Sequence, residues 1–130
     1  MNIGQTIPFS FFDSQDVTLT NYAIGDVVLE SRKIPEGFTG IVKDNDTVFT
    51  TPGGSVDYVI KRAAGGSKVF RNAVSSDDSG FINKNLRTGD RIQIILNATG
   101  VGVLDLVWDG ILKKISEVTD ESGFEEEEDF

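Results

Sequence analysis

Ile92-Gln93-Ile94-Ile95-Leu96-Asn97 and, after a short polar link, Gly102-Val103-Leu104-Asp105-Leu106-Val107-Trp108 are the stretches that decide the fold. In the first, Ile92, Ile94 and Leu96 alternate with Gln93, Ile95 and Asn97. In the second, Leu104, Leu106 and Trp108 fall on one face and Val103, Asp105 and Val107 on the other. A period of two is that of a strand with one buried face, whereas a helix repeats about every 3.6 residues. Val56, Tyr58 and Ile60 alternate with Asp57, Val59 and Lys61 in the same way. Outward from these, further strands are expected at Asp26–Lys33, Phe38–Lys43, Thr47–Thr50, Lys68–Val74 and Ile111–Val118.

The punctuation between them is turn chemistry. Pro52-Gly53-Gly54 should reverse the chain, because proline fixes φ and glycine accepts positive φ. Ala64-Gly65-Gly66-Ser67 reads as a hairpin link between the Val56–Lys61 and Lys68–Val74 strands. Thr88-Gly89-Asp90 breaks the chain before Arg91. Asn97-Ala98-Thr99-Gly100 joins the two most apolar strands, which are therefore expected to pair antiparallel. Ser75–Gly80 contains no apolar side chain and should be a surface loop. Short strands separated by such turns predict an all-β, antiparallel β-sandwich, jelly-roll-like, of about eight strands. The expected core is Val28, Phe38, Ile41, Val56, Tyr58, Ile60, Ile92, Ile94, Leu96, Leu104, Leu106 and Trp108.

At 130 residues the chain suffices for one domain with its own core. There is no cysteine and no histidine, which excludes disulfides, thiolate metal sites and the usual neutral-pH general base. Apolar runs are far shorter than the ~20 residues that cross a bilayer, so no membrane association is expected. The opening Met1–Thr6 lacks the charged start and apolar block of a secretory signal. The net charge of −9 is unevenly placed. Residues 117–130 hold eight of the 21 acids and no base, leaving 13 acids against 12 bases, a charge of −1, in residues 1–116. The reading is a β-sandwich domain over 1–116 with an N-terminal arm, followed by an acidic tail over 117–130.

Two segments look like grips for a partner. Phe9, Phe11 and Phe12, after Ile7, form an aromatic patch ahead of the main strands, suited to an edge strand or to an arm docking on a neighbouring subunit. In the tail, Phe124 and Phe130 bracket five consecutive acids, Glu125 to Asp129. That run repels itself and cannot fold alone. Its rings suit a partner's pocket and its charges a basic rim. Glu125-Glu126-Glu127-Glu128-Asp129-Phe130 resembles the ending of bacterial and phage single-stranded-DNA-binding proteins. That resemblance implies a tail that recruits replication partners and competes with DNA, on an OB-fold body. Stacking candidates for such a role are Tyr58, Phe70 and Trp108, beside Lys61, Arg62, Lys68, Arg71, Arg87 and Arg91. The phases of Tyr58 and Trp108 instead favour the core, and a body charge of −1 offers little counterion release.

A broader resemblance spans residues 34–112. Ile34-Pro35-Glu36-Gly37-Phe38-Thr39-Gly40-Ile41-Val42 leads to Gly53-Gly54-Ser55-Val56-Asp57-Tyr58-Val59-Ile60-Lys61-Arg62. Then Asn85-Leu86-Arg87-Thr88-Gly89-Asp90-Arg91-Ile92-Gln93-Ile94 precedes Gly100-Val101-Gly102-Val103-Leu104-Asp105-Leu106. The succession resembles small jelly-roll or β-sandwich accessory proteins of tailed-phage particles, of the capsid decoration (cement) or head-fibre type. In such proteins a leucine and a Gly-Asp pair introduce the penultimate strand. The resemblance implies a non-enzymatic virion structural protein, assembled in the host cytoplasm and decorating or cementing a bacteriophage capsid. Its partners would be the major capsid protein or another virion protein and further copies of itself, a trimer being favoured. Nucleic acid is a partner only in the alternative reading, and a carbohydrate-binding fibre module would need an exposed aromatic platform that is not evident.

No catalytic, metal or cofactor site is expected. Asp57, Asp105 and Asp109 lie near strands, with no pair that spacing alone places at acid–base distance. Asp44-Asn45-Asp46 and Asp77-Asp78 offer hard oxygen ligands but lack the spacing of a calcium loop, and turn formation accounts for both. Gly53-Gly54 and Gly65-Gly66 lack the lysine and following helix of a phosphate loop.

Overall fold

A computed structural model describes residues 1–51, 53–74 and 78–117, with side chains outside 72–81. Its strands are β1 (Thr6–Thr18), β2 (Val27–Glu30), β3 (Phe38–Phe49), β4 (Ser55–Lys61), β5 (Ser67–Val74), β6 (Asp78–Leu86), β7 (Arg91–Leu96) and β8 (Val103–Lys114). A 3-10 turn, Leu19–Asn21, follows β1. The strands form two antiparallel four-stranded sheets, β1-β8-β3-β6 and β2-β7-β4-β5. The first strand thus pairs with the last, the second with the seventh, the third with the sixth, and the fourth with the fifth. This is the pattern of one long hairpin rolled up, with β3·β8 and β4·β7 closing each sheet. Eight strands in that order make a jelly-roll sandwich.

The shared interior follows from the period-two pattern. Val56, Tyr58, Ile60, Ile92, Ile94, Leu96, Leu104, Leu106 and Trp108 are at most 1% exposed, and Val28 and Phe38 are also buried. Each large apolar side chain so buried contributes roughly 1.5–3 kcal/mol. The expected inward residue Ile41 is half-buried on the outer face, and its neighbour Val42 occupies the core. Edge-on rings organise the centre, Tyr58 against Trp108 at 4.6 Å and Phe12 against Trp108 at 5.3 Å. Polar side chains among them bond to one another. Trp108 Nε1 donates to Thr47 Oγ1 at 3.1 Å, and Asn45 Nδ2 donates to Tyr58 Oη at 3.3 Å.

Several expectations need correction. The two most apolar strands, β7 and β8, do not pair; the 97–102 link carries the chain from one sheet to the other. Two facing apolar strands satisfy burial across the sandwich as well as they would side by side. Phe38–Lys43 and Thr47–Thr50 are one strand, because Asn45 turns inward to Tyr58 while Asp44 and Asp46 face solvent. Gly102–Trp108 and Ile111–Val118 likewise merge into β8 through Gly110. Of the expected Ser75–Gly80 loop, 75–77 lie outside the described residues and 78–80 open β6, a sheet-edge strand whose polar composition hid it.

A line of irregularities crosses the first sheet at one height. Register shifts occur between Ser10 and Phe12 on β1, between Val42 and Asp44 on β3, and between Lys84 and Phe81 on β6, all opposite Trp108–Gly110 of β8. On β1 the extra residue is Phe11, so Phe9, Phe11 and Phe12 all face inward despite being out of simple alternation. A Cβ on Gly110 would lie 2.1 Å from the Ile41 carbonyl oxygen and 2.7 Å from the Phe11 ring. Only glycine leaves room there.

Candidate functional site

One end of the sandwich is open between the edge strands β1 and β2. A groove of about 540 Å³ runs there, floored by Ile7, Pro8, Phe9, Phe38 and Leu112 and rimmed by Met1, Arg32, Lys114 and Glu117. The first wall comes from β1 and β8, where Ile7 faces Leu112 in register. The N-terminal turn is sewn to it: Gly4 N donates to the Lys114 carbonyl at 2.8 Å and Lys114 N to the Gln5 carbonyl at 3.0 Å. The Lys114 ammonium donates to the Met1 carbonyl at 2.8 Å and to Glu117 Oε1 at 3.0 Å. Of the lining residues Met1 and Ile7 are 46% and 37% exposed, and Ile3 and Ile115, next in sequence to the bonded Gly4 and Lys114, are 59% and 46% exposed. Water-exposed apolar side chains gathered beside a groove mark a contact surface.

The second wall is the 31–38 segment. Arg32 holds its guanidinium 4.3 Å over the Phe9 ring and donates from Nη2 to the Ser10 carbonyl at 3.2 Å. The segment cannot drift, because the Arg87–Asp90 turn clamps it. Ile34 N donates to the Asp90 carbonyl at 2.9 Å, Gly89 N donates to the Ile34 carbonyl at 2.8 Å, and Thr88 Oγ1 donates to the Phe38 carbonyl. Asp90 is itself 2% exposed and accepts from Arg87 N at 2.9 Å, Ala63 N at 3.1 Å and Arg62 Nη1 at 2.6 Å. Burial pushes its pKa up, but those two backbone donors and the Arg62 guanidinium outweigh it, and the carboxyl stays below its ordinary value. The Leu86-Arg87-Thr88-Gly89-Asp90 run therefore introduces the penultimate strand and also fixes the groove's far wall.

The outer face of the first sheet is acidic. Asp16 lies opposite Asp105, and Asp44 opposite Asp109. Loss of hydration, then the Asp16 charge and hydrogen bond, then the Asp46 charge push the Asp105 carboxyl above its ordinary value. Among the described residues no group of three or more His, Cys, Asp or Glu is gathered to hold a metal ion. No helix of the structure is long and apolar enough to cross a membrane.

The aromatic residues picked out from the sequence separate. Phe9, Phe11 and Phe12 are 8%, 3% and 2% exposed, inside the chain's own sandwich, with β1 paired to β8 as an edge strand and not extended as an arm. Only Phe9 shows a face to the groove. Phe124 and Phe130 lie outside the described residues. Tyr58 and Trp108 are fully buried and supply no stacking platform, while Phe70 is half-buried with Lys84 5.6 Å over its ring. Two four-stranded sheets also differ from the five-stranded barrel of an OB-fold. Arg32, Leu112, Lys114 and Glu117 were not singled out from the sequence. Lys113-Lys114 at the end of an apolar run was the only sign of that rim, and Arg32 gave none.

No protein-family model matches the chain, and no curated protein matches it. Among solved structures it is similar to a chain in the structure of infectious bursal disease virus Gx strain, with a TM-score of 0.53 and 8% identity over 87% of this chain and 32% of that one. A looser likeness, with a TM-score of 0.38 and 14% identity, covers 89% of this chain and 37% of a family two carbohydrate esterase from Cellvibrio japonicus. The chain thus spans about a third of the length of the solved chains it matches. At such identity the first likeness establishes the fold, a β-sandwich of jelly-roll type.

Proposed function

We propose that this chain is a non-enzymatic structural protein of a virus particle, acting through contacts with other protein surfaces. The observation that carries the reading is the open end of the sandwich. Exposed Met1 and Ile7 line a groove whose two walls are each tied down by hydrogen bonds, and the exposed Ile3 and Ile115 flank in sequence the Gly4–Lys114 bond that closes one wall. A rigid apolar recess suits a partner's side chain or segment, and such recesses are where binding energy concentrates. The fold is shared with a chain in a virus structure, which supports the setting.

The finer reading is decoration or cementing of a tailed-phage capsid, with self-association favouring a trimer. Such a protein works by mass action. Many copies of a modest interface raise the energy needed to break a shell.

Sedimentation equilibrium gives the mass in solution, and co-sedimentation with shells of the virus that encodes the chain gives the partner. An oligomer that saturates shells at a fixed ratio is expected. The double variant Ile3→Glu, Ile115→Glu should lower shell affinity at least tenfold without changing the fold. A monomer with no affinity for shells ends the proposal. Salt-sensitive binding to oligothymidine would move the chain to the nucleic-acid reading.

A further inference from the structure

The groove has a candidate occupant close at hand. Glu117 sits on its rim, bonded to Lys114 at 3.0 Å, so the chain leaves the described fold at the groove's edge. Beyond it come Val118, Thr119, Asp120, Glu121, Ser122, Gly123 and Phe124, and then the acids that end at Phe130. On the opposite rim Arg32 touches a ring and a carbonyl and faces no carboxylate among the described residues. Recess, cation, acids and ring are complementary.

We propose that residues 118–130 of the same chain fold back along this groove, the Phe124 ring resting on Phe9, Phe38 and Leu112 and the neighbouring acids facing Arg32. Reach is no obstacle. Phe124 is seven positions on from Glu117, enough to extend about 23 Å. The groove's ~540 Å³ is within the roughly 300–1,000 Å³ typical of pockets that hold a small aromatic ligand. A tethered occupant meets the groove at an effective concentration of about millimolar, so the chain's own tail outcompetes a second copy's in dilute solution. The inference stands on the groove alone and does not need the particle.

Because the chain has no cysteine, one engineered thiol carries a spin label without side reactions. Full-length protein labelled at Ser122→Cys, and separately at Glu127→Cys, is compared by NMR in oxidised and reduced states. Loss of more than half the amide intensity at Ile7, Phe9 and Arg32 is expected, with recovery in Phe124→Ala. A mixture of isotope-labelled chain and separately spin-labelled chain should show no loss. Loss in that mixture makes a second copy the occupant and overturns the proposal, as does the absence of loss in either sample. Neither outcome bears on shell binding, which the sedimentation experiment reads separately.

Discussion

The two sheets solve the same burial problem differently. In β2-β7-β4-β5 the strands are four to eight residues long, and the central β7–β4 ladder runs without a break from Arg91↔Lys61 to Leu96↔Val56, its slips lying only in the two edge pairs, between Val27 and Leu29 and between Tyr58 and Val59. In β1-β8-β3-β6 they are nine to thirteen residues long, and each neighbouring pair slips register at the height of Trp108–Gly110. A long antiparallel sheet coils as it twists, and bulges localise that bend. The bent sheet brings Phe9 and Leu112 to the groove, whereas the more regular one keeps its central ladder unbroken. Function in this molecule is therefore expected on the irregular sheet.

The hardest test of that contrast is Gly110→Val. The new Cβ would meet the Ile41 carbonyl and the Phe11 ring within 3 Å, at the centre of the bend. A loss of about 3 kcal/mol is expected from overpacking against backbone, read as a lower urea midpoint. Gly66→Val in the hairpin of the regular sheet has open space around it and only a φ of +83° to oppose it, so about 1–2 kcal/mol is expected there. Equal costs would mean that the bend is not a special constraint.

Next in size is Asp90→Ala. The Arg87 and Ala63 N–H groups lose their acceptor and Arg62 its partner. Buried donors left unmade cost about 1–3 kcal/mol. The effect should reach the groove, because the same turn holds Ile34 and Phe38. Hydrogen exchange should therefore quicken at Ile34 and Phe38 while the β4–β7 ladder stays protected. Uniform acceleration would show that the clamp is global and not local to the mouth.

Acid separates the two regions by sign. Asp90 has a lowered folded pKa, so its stabilisation is present above the ordinary aspartate value and fades as pH falls through the folded one. Asp105 has a raised folded pKa, so the folded chain takes up its proton first and the acidic face gains stability as pH falls toward the ordinary value. Melting temperature should rise slightly on mild acidification and then fall. Asp105→Asn should remove the rise and leave the fall. A monotonic curve in the parent protein contradicts the pairing.

The regular sheet was largely legible in the sequence, and the bent one was not. Ile92–Leu96 keeps strict alternation and Val56–Lys61 departs from it only at the buried Val59, so side-chain period located β4, β7 and their inward faces. The Gly65-Gly66 hairpin followed from turn chemistry, and both residues do take positive φ. In the bent sheet three of the four strands contain a residue type that reads as a break: Asp44-Asn45-Asp46 in β3, Asp109-Gly110 in β8, Asn83 in β6. Those residues serve tertiary demands, a buried amide, a close ring and a backbone bend, that no local pattern encodes. Phe11 shows the same limit. Beside Phe12 it looked like surplus aromatic surface for a neighbour, and only the bulge opposite Trp108 and Asp109 turns both rings inward. The groove was hidden for a similar reason, since Arg32, Phe38 and Leu112 meet only when the long hairpin has rolled up.

The finest test concerns Asn83, the one non-glycine residue with positive φ among the described residues, at 56°. It lies on β6 within the bend, and its Oδ1 accepts from Lys43 Nζ at 3.2 Å across to β3. Two causes are entangled there: tolerance of the left-handed backbone, which asparagine has, and an exposed hydrogen bond. Asn83→Ala loses both and should cost about 1 kcal/mol, mostly from the backbone. Asn83→Gly loses only the hydrogen bond while easing the backbone, so it should stay within about 0.5 kcal/mol of the parent. If the glycine variant falls as far as the alanine one, the Lys43 bond holds the edge of the sheet in place. If only alanine falls, the bend runs to the sheet's edge as a backbone requirement. The irregular half of the sandwich would then be curved by geometry specified on all four strands.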